Sequence, residues 1–510
     1  MDGDALSPRT AIATKLAGLS TTSNAEDQPC IFKVHKQLLN VNEKAYKPVL
    51  LAIGPYNDHL KVGQGIMEEH KLRYLKQMLE RRKEHSLEDY MEALRKLEDR
   101  ARKCYADAEC ISQKKDEFVG MMLLDGCFII ELFRKLEDKT LRDEHDPIFQ
   151  MSWMLPEIAR DLLLFENQLP YFVLTELFNR SESNQTPLPN PGDSEQISCE
   201  ITPCCESSAS IDQTVPTRLR DLAISFFFGL LPFRDWEVNG SSVYPAKKST
   251  DQKVGDKVMN VEFKHLLDLI YTIIKRSIVH DMEVVDRAIE RQEVGVKFNI
   301  EEIFKPLFGK LEKRKGYKKI NKDAGSIPYG PKPIRNATEL KEAGIKFQRA
   351  KQGTAFACIK FSNGVLEIPP LRIEDETETL LRNLIAYEQY SPHTDIDYVT
   401  DYACFMDDLI NSPKDVELLG QNEIIENWLG DDEFASSMFN KLCHHVVSDY
   451  PPSTYQTSID INNHCAKRRN VWMATLRHNY FNSPWASLSV LAAILLLGLT
   501  IIQTVFSIIN

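Results

Sequence analysis

EFVGMMLLDGCFIIELF, residues 117–133, is apolar on nearly every face of a helical wheel. Such a helix has no side to offer water, so it belongs at the centre of a helical assembly. Upstream, Leu72, Leu75 and Leu79 form one helical stripe and Leu87, Tyr90, Met91, Leu94 and Leu97 another. Ser86 suits the N-cap of the second helix, with Asp89 in its first turn. The dense Glu, Lys and Arg between these positions read as solvated faces. Downstream, DLLLFENQLPYFVL (161–174) sets Glu166, Asn167 and Gln168 inside an apolar run. Pro156 and Pro170 each suit the first position of a helix, which predicts one helix ending near Asn167 and another beginning at Pro170. Helix ends carry unpaired N–H and carbonyl groups, which Asn167 and Gln168 are suited to satisfy, and Glu166 can accept from nearby donors.

The pattern divides the chain. Residues 1–27 read as a mobile leader, 28–180 as an N-terminal helical block, and 181–215, rich in Ser, Pro and acids, as a linker or insertion. A second, mainly helical block spans 216–450. It contains LRDLAISFFFGLLPF and FKHLLDLIYTIIKRSI, the latter with Leu266, Leu269, Ile270 and Ile273 at helical spacing. Its strand signal is FACIKFSNGVLEIPPLRI, near 354–373, where Asn363-Gly364 suits a type I′ hairpin turn. TETLLRNLIAYEQ then returns to helix through Leu380, Leu381, Leu384 and Ile385. Residues 451–484 form a juxtamembrane segment and 485–509 a membrane helix. The expected fold class is therefore mainly α: a helical globular region with a small β-hairpin, plus one C-terminal transmembrane helix.

The membrane expectation rests on WASLSVLAAILLLGLTIIQTVFSII, which carries no charge and holds 14 Leu, Ile, Val and Phe residues. Its length of about 37 Å exceeds a hydrocarbon core of about 30 Å. Trp485, Leu491, Leu496, Ile501, Phe506 and Ile509 are the expected anchor positions along it. Only Asn510 follows, the arrangement of a tail anchor inserted after synthesis. Lys467, Arg468, Arg469 and Arg477 precede the span, so the positive-inside bias leaves the bulk of the chain in the cytosol. The N-terminus, with Asp2 and Asp4 and no continuous apolar run, does not resemble an export signal.

Net charge is −12, which gives the chain no general attraction to nucleic acid. The 11 cysteines include no CxxC, so scattered thiols are expected rather than a disulfide framework or structural zinc. One local reversal of sign, KLEKRKGYKKINK (310–322), offers Lys313, Arg314, Lys315, Lys318 and Lys319 as contacts to anionic lipid. Its other reading is a solvated loop.

Several separated motifs resemble the plant domain-of-unknown-function 247 family, also called uncharacterised protein family 0481, over roughly residues 30 to 510. NVNEKAYKPVLLAIGPY carries the opening motif through Gly54, Pro55 and Tyr56, and LLDGCFIIELF the second through Asp125 and Gly126. DLLLFENQLPYFVL carries the third through Glu166, Asn167, Gln168 and Pro170; NATELKEAGIKF, FSNGVLEIPPL and RNLIAYEQ follow in order. Where the family often has a histidine pair after its Gly-Pro-Tyr, this chain has Asn57-Asp58; where proline often follows Val34, it has His35. The resemblance implies a plant protein with one C-terminal span and no established enzyme activity. Some grass members are linked to pollen self-incompatibility, a recognition role.

No phosphate-binding loop, HExxH or GxSxG occurs, so no catalytic, cofactor or metal residue is expected. The favoured reading is a membrane-tethered interaction or recognition protein, with the bilayer and an unnamed protein as partners and no nucleic acid. Its alternative is an enzyme in which Asp125 and Glu166 share a pocket as general acid and base.

Overall fold

The computed structural model describes residues 28–61, 65–81, 83–107, 111, 113–182, 215–228, 262–295, 332–351, 353–391, 396–447, 453–467 and 484–509. The leader, nearly all of the 181–215 linker and the basic segment with Lys313, Arg314, Lys315, Lys318 and Lys319 lie outside these residues. The chain groups into two compact units, each drawing on non-contiguous segments: Met1–His35, Tyr46–Phe226 and Asp256–Leu269 in the first, Lys36–Ala45, Phe227–Gly255 and Ile270–Asn510 in the second.

The first unit is helical. Helix α1 is Gly65–Arg81, α2 Leu87–Lys103, α3 Lys115–Glu137, α4 Met154–Leu162, α5 Tyr171–Glu182 and α6 Val215–Phe228. As its all-round apolar text requires, α3 is central: 16 of its 23 residues are buried, and α1, α2 and α5 pack on it. Ser86 caps α2, accepting from Asp89 N while Asp89 accepts from Ser86 N, a reciprocal capping box. The stripe on α1 differs from the leucine spacing. Met67, Lys71, Tyr74, Leu75 and Met78 face inward, and Leu72 is 57% exposed, because an ion pair described below pulls Lys71 in.

Helix α7, Leu266–Gly295, begins in the first unit and continues in the second. The second unit continues with α8 (Ala337–Glu342), β1 (Lys346–Arg349), β2 (Lys360–Ser362), β3 (Val365–Ile368), β4 (Leu371–Ile373) and α9 (Thr377–Gln389). There follow α10 (Tyr398–Leu409), α11 (Pro413–Gln421), β5 (Ile425–Asn427), α12 (Asp432–Leu442) and α13 (Tyr455–Ala466). The Asn363-Gly364 turn has φ of 52° and 80°, the left-handed pair a type I′ turn demands, and joins β2 to β3 with Phe361 opposite Leu366. The hairpin is part of something larger. Strand β1 pairs with β3 in parallel, and β4 pairs with β5 in parallel. Helix α13 packs on β2, and its His464 ring meets Phe361 edge-on at 5.5 Å.

Helix α14, Pro484–Ile509, runs unbroken for 26 residues. Its Leu488, Leu495, Leu496, Leu497, Leu499, Ile501 and Ile502 are all exposed. Among the residues described in full, no helix is long and apolar enough to cross a membrane.

Candidate functional site

Residues 49–54, VLLAIG, lie in the first unit, form no helix or strand, and are buried from Leu51 onward. Buried backbone groups outside a regular ladder must find partners elsewhere. Here side chains supply them. Asp161, the eighth residue of α4, accepts from Val49 N at 3.1 Å and from Leu50 N and Leu51 N at 2.7 Å. Asn167 accepts from Ile53 N at 2.8 Å and donates to Leu51 O at 2.9 Å and Asp161 O at 2.8 Å. Asp125, from the middle of α3, accepts from Gly54 N at 2.9 Å. Lys71 donates to Ala52 O at 2.7 Å.

Gly54 has φ of +67°, and a Cβ there would sit 2.8 Å from Gln168 O. Both conditions require glycine. At Gly126 a Cβ would meet Leu177 Cδ1 at 2.5 Å, so any larger residue would have to displace that leucine within the α3–α5 packing.

Asp125 and Lys71 are both 0% exposed and pair at 2.7 Å; Lys61 joins the same carboxylate at 2.8 Å. Burial pushes the Asp125 carboxyl up, but the charges and hydrogen bonds of Lys71 and Lys61 outweigh it and hold it below the ordinary value. Burial depresses Lys71, and Asp125 and Glu68 more than restore it. The pair is therefore ionised across the neutral range, with every Asp125 oxygen occupied.

The ENQ run divides its work. Gln168 donates to Leu162 O and Leu164 O, each at 2.8 Å, and accepts from Leu267 N at 3.1 Å; Tyr105 donates to its carbonyl at 3.0 Å. Helix α4 thus ends at Leu162, five residues before the expected end near Asn167, because the side chains of Asn167 and Gln168 fold back to take the last carbonyls. Pro170 directly precedes α5, whose first residue is Tyr171. Glu166 is half-buried and accepts from Val34 N at 2.7 Å; burial raises its carboxyl, with Val34 N and Lys33 opposing.

Asp125 and Glu166 share no hydrogen-bond partner, and their carboxyls are shifted in opposite directions. Asp125 is held as a carboxylate, with Lys71 on Oδ1 and Gly54 N and Lys61 on Oδ2. Glu166 is engaged on a backbone amide. Four polar side chains from three segments fix one irregular stretch of backbone. Tyr56, the last of the Gly54-Pro55-Tyr56 motif, accepts from Asp107 N at 3.1 Å and stacks edge-on against Tyr105 at 5.3 Å.

Sequence reasoning missed Asp161, Lys71 and Lys61. Asp161 opens the quoted DLLLFENQLPYFVL, and an acid at the head of an apolar run was the available signal. Lys71 looked like one charge among many on α1. Asn57, at the departure from the histidine pair, is 5% exposed and donates to Asn167 Oδ1 at 3.0 Å, so it belongs to the same network. Among the described residues no group of three or more His, Cys, Asp or Glu could hold a metal ion.

The sequence pattern of DUF247, described as "Plant protein of unknown function", matches residues 31–499. The chain belongs to this family. It is 28% identical over 501 residues to a UPF0481 protein of Arabidopsis thaliana, an alignment covering 96% of this chain and 88% of the relative. It is 25% identical over 499 residues to a putative UPF0481 protein of the same plant, covering 93% of this chain and 89% of the relative. No solved structure matches. Within this DUF247 chain the motifs of the second unit have comparable roles. Glu388 of RNLIAYEQ accepts from Val399 N, Thr400 N and the Thr400 hydroxyl at the start of α10, and from the Tyr271 hydroxyl. Asn336 of NATELKEAGIKF caps α8 through Glu339 N.

Proposed function

We propose that this DUF247 protein is a membrane-tethered interaction or recognition component whose helical part is held at a bilayer by α14. The observation that carries the reading is the terminal helix: 26 residues without Asp, Glu, Lys or Arg, with Leu488, Leu495, Leu496, Leu497, Leu499, Ile501 and Ile502 exposed. About 39 Å of helix exceeds the span a hydrocarbon core needs, with room for tilt. Large exposed apolar surface on a monomer marks a membrane or protein contact. Trp485, Leu491, Leu496, Ile501, Phe506 and Ile509 are its anchor positions, and the bulk of the chain faces the cytosol. Lys313, Arg314, Lys315, Lys318 and Lys319 add contacts to anionic headgroups. A binding rather than a catalytic role is supported by the engagement of Asp125, Asn167 and Gln168 in backbone hydrogen bonds.

The test compares the full chain with one ended at Ser483. The full chain should stay in the membrane pellet through alkaline carbonate washing, and the shortened form should be released and folded. Carbonate-resistant pelleting of the shortened form contradicts the proposal. On sealed vesicles, added protease should digest residues 1–480; protection of that region would reverse the orientation.

A further inference from the structure

Cys30 and Cys104 lie side by side in the first unit. Ile31 and Tyr105 form an isolated parallel bridge, and Cys30 N and Ile31 N both donate to Cys104 O at 2.8 Å. Ala106 N returns a bond to Ile31 O at 2.9 Å. Residues 30 and 104 flank that bridge, and the bond from Cys30 N to Cys104 O holds their backbones in direct contact. Direct backbone contact of this kind is compatible with the Cα–Cα range of about 4.4–6.8 Å that a disulfide spans. Both residues are free thiols and half-buried rather than sealed in the core, and the Cys104 sulfur reaches Arg100 O at 3.5 Å at an exposed position.

We propose that Cys30 and Cys104 are a reversible thiol-oxidation site whose co-substrate is a small-molecule disulfide of the glutathione class. The Cys104 thiol donates to Arg100 O at the C-terminal end of α2. Either thiol, once deprotonated, can attack, and the other then resolves the mixed disulfide. The thiolate of one cysteine attacks one sulfur of oxidised glutathione, breaks its S–S bond and releases one glutathione thiolate. The other cysteine gives up its proton and attacks the first cysteine's sulfur, releasing the second. Two protein thiols become one disulfide, one small-molecule disulfide becomes two thiols, and the two protons end on the released glutathiones. The product ties the segment that leads to Val34, the donor to Glu166, onto the C-cap of α2.

The experiment equilibrates the full chain in detergent with a series of glutathione redox buffers, quenches with acid, alkylates, and maps the unreduced digest by mass spectrometry. The expected product is a single Cys30–Cys104 cross-linked peptide pair that grows as the buffer becomes more oxidising and disappears on adding excess reduced glutathione. Cys30→Ser and Cys104→Ser should each leave the remaining thiol carrying glutathione, with no cross-link at this site. Cross-linking should drop to the statistical level among the 11 cysteines when the protein is denatured first. Separate alkylation of Cys30 and Cys104 in the native protein under the most oxidising buffer would overturn the proposal. So would a cross-link as abundant in the denatured chain as in the native one.

Discussion

Replacing Asn167 with Ala removes four hydrogen bonds at once. Its side chain is fully buried, and it serves Ile53 N, Leu51 O, Asp161 O and the Asn57 amide. Each buried group left without a partner costs about 1–3 kcal/mol, so four give a ceiling of about 4–12 kcal/mol. The deleted amide leaves room that a water molecule can occupy, recovering part of this. The net loss should then be about 3–5 kcal/mol, in the large tail for single substitutions. Asn167→Asp is the sharper probe because it keeps shape and volume. Its second oxygen would face the Leu51 and Asp161 carbonyls with no proton to donate, so it should lose about as much as Ala near neutral pH. The assay is urea unfolding of both variants followed by circular dichroism, with the transition midpoint compared at fixed slope. A loss below about 1 kcal/mol in both variants would refute the claim that Asn167 holds this backbone.

Glu166→Ala should cost less than either, about 1–3 kcal/mol, since it loses one bond to Val34 N; unchanged melting with loss of a ligand would make Glu166 functional instead. Lys71→Met should cost about 3–5 kcal/mol by leaving Asp125 under-compensated, and adding Asp125→Asn should restore part of it in a double-mutant cycle. Burial pushes Glu388 up to about 7 from an ordinary 4.5, against the donors at the start of α10. A carboxyl raised on folding binds more protons in the native state, so its contribution is complete below about pH 4.5 and fades as pH rises through about 7. The loss is about 3 kcal/mol at most, and melting against pH should show it in the wild type and lack it in Glu388→Gln. The chain ended at Ser483 should float with vesicles containing phosphatidylserine but not with neutral ones, and should float less in salt. Converting Lys313, Arg314, Lys315, Lys318 and Lys319 to Gln should weaken flotation further; equal flotation of both forms leaves the segment without a membrane role.

The sequence showed what depends on neighbours along the chain. The all-round apolar text of 117–133, the Ser86 N-cap with Asp89 in the first turn, and the Asn363-Gly364 turn are local, and each appears in the structure where its residues stand. Contacts made across long stretches of chain were not legible. The pairing of β1 with β3 and of β4 with β5 is parallel, so no turn residue announces it. Leu72 carried the periodic signal on α1, yet Lys71 is the inward residue, because its charge is met by Asp125 54 positions away. The ENQ run was legible as polar groups with structural partners. Which partners could not be read, since Asn167 reaches back 114 residues to Ile53.

The central claim is that side chains of the family motifs hold an irregular segment of backbone as firmly as a helix holds its own. Native-state hydrogen exchange of the amides of Val49, Leu50, Leu51, Ile53 and Gly54, read beside those of α3, tests it most directly. The account predicts that Leu51, Ile53 and Gly54 exchange only with the opening of the whole first unit, at the rates of the α3 core amides. Exchange of these three at the rate of exposed loop amides, while α3 stays protected, would contradict it.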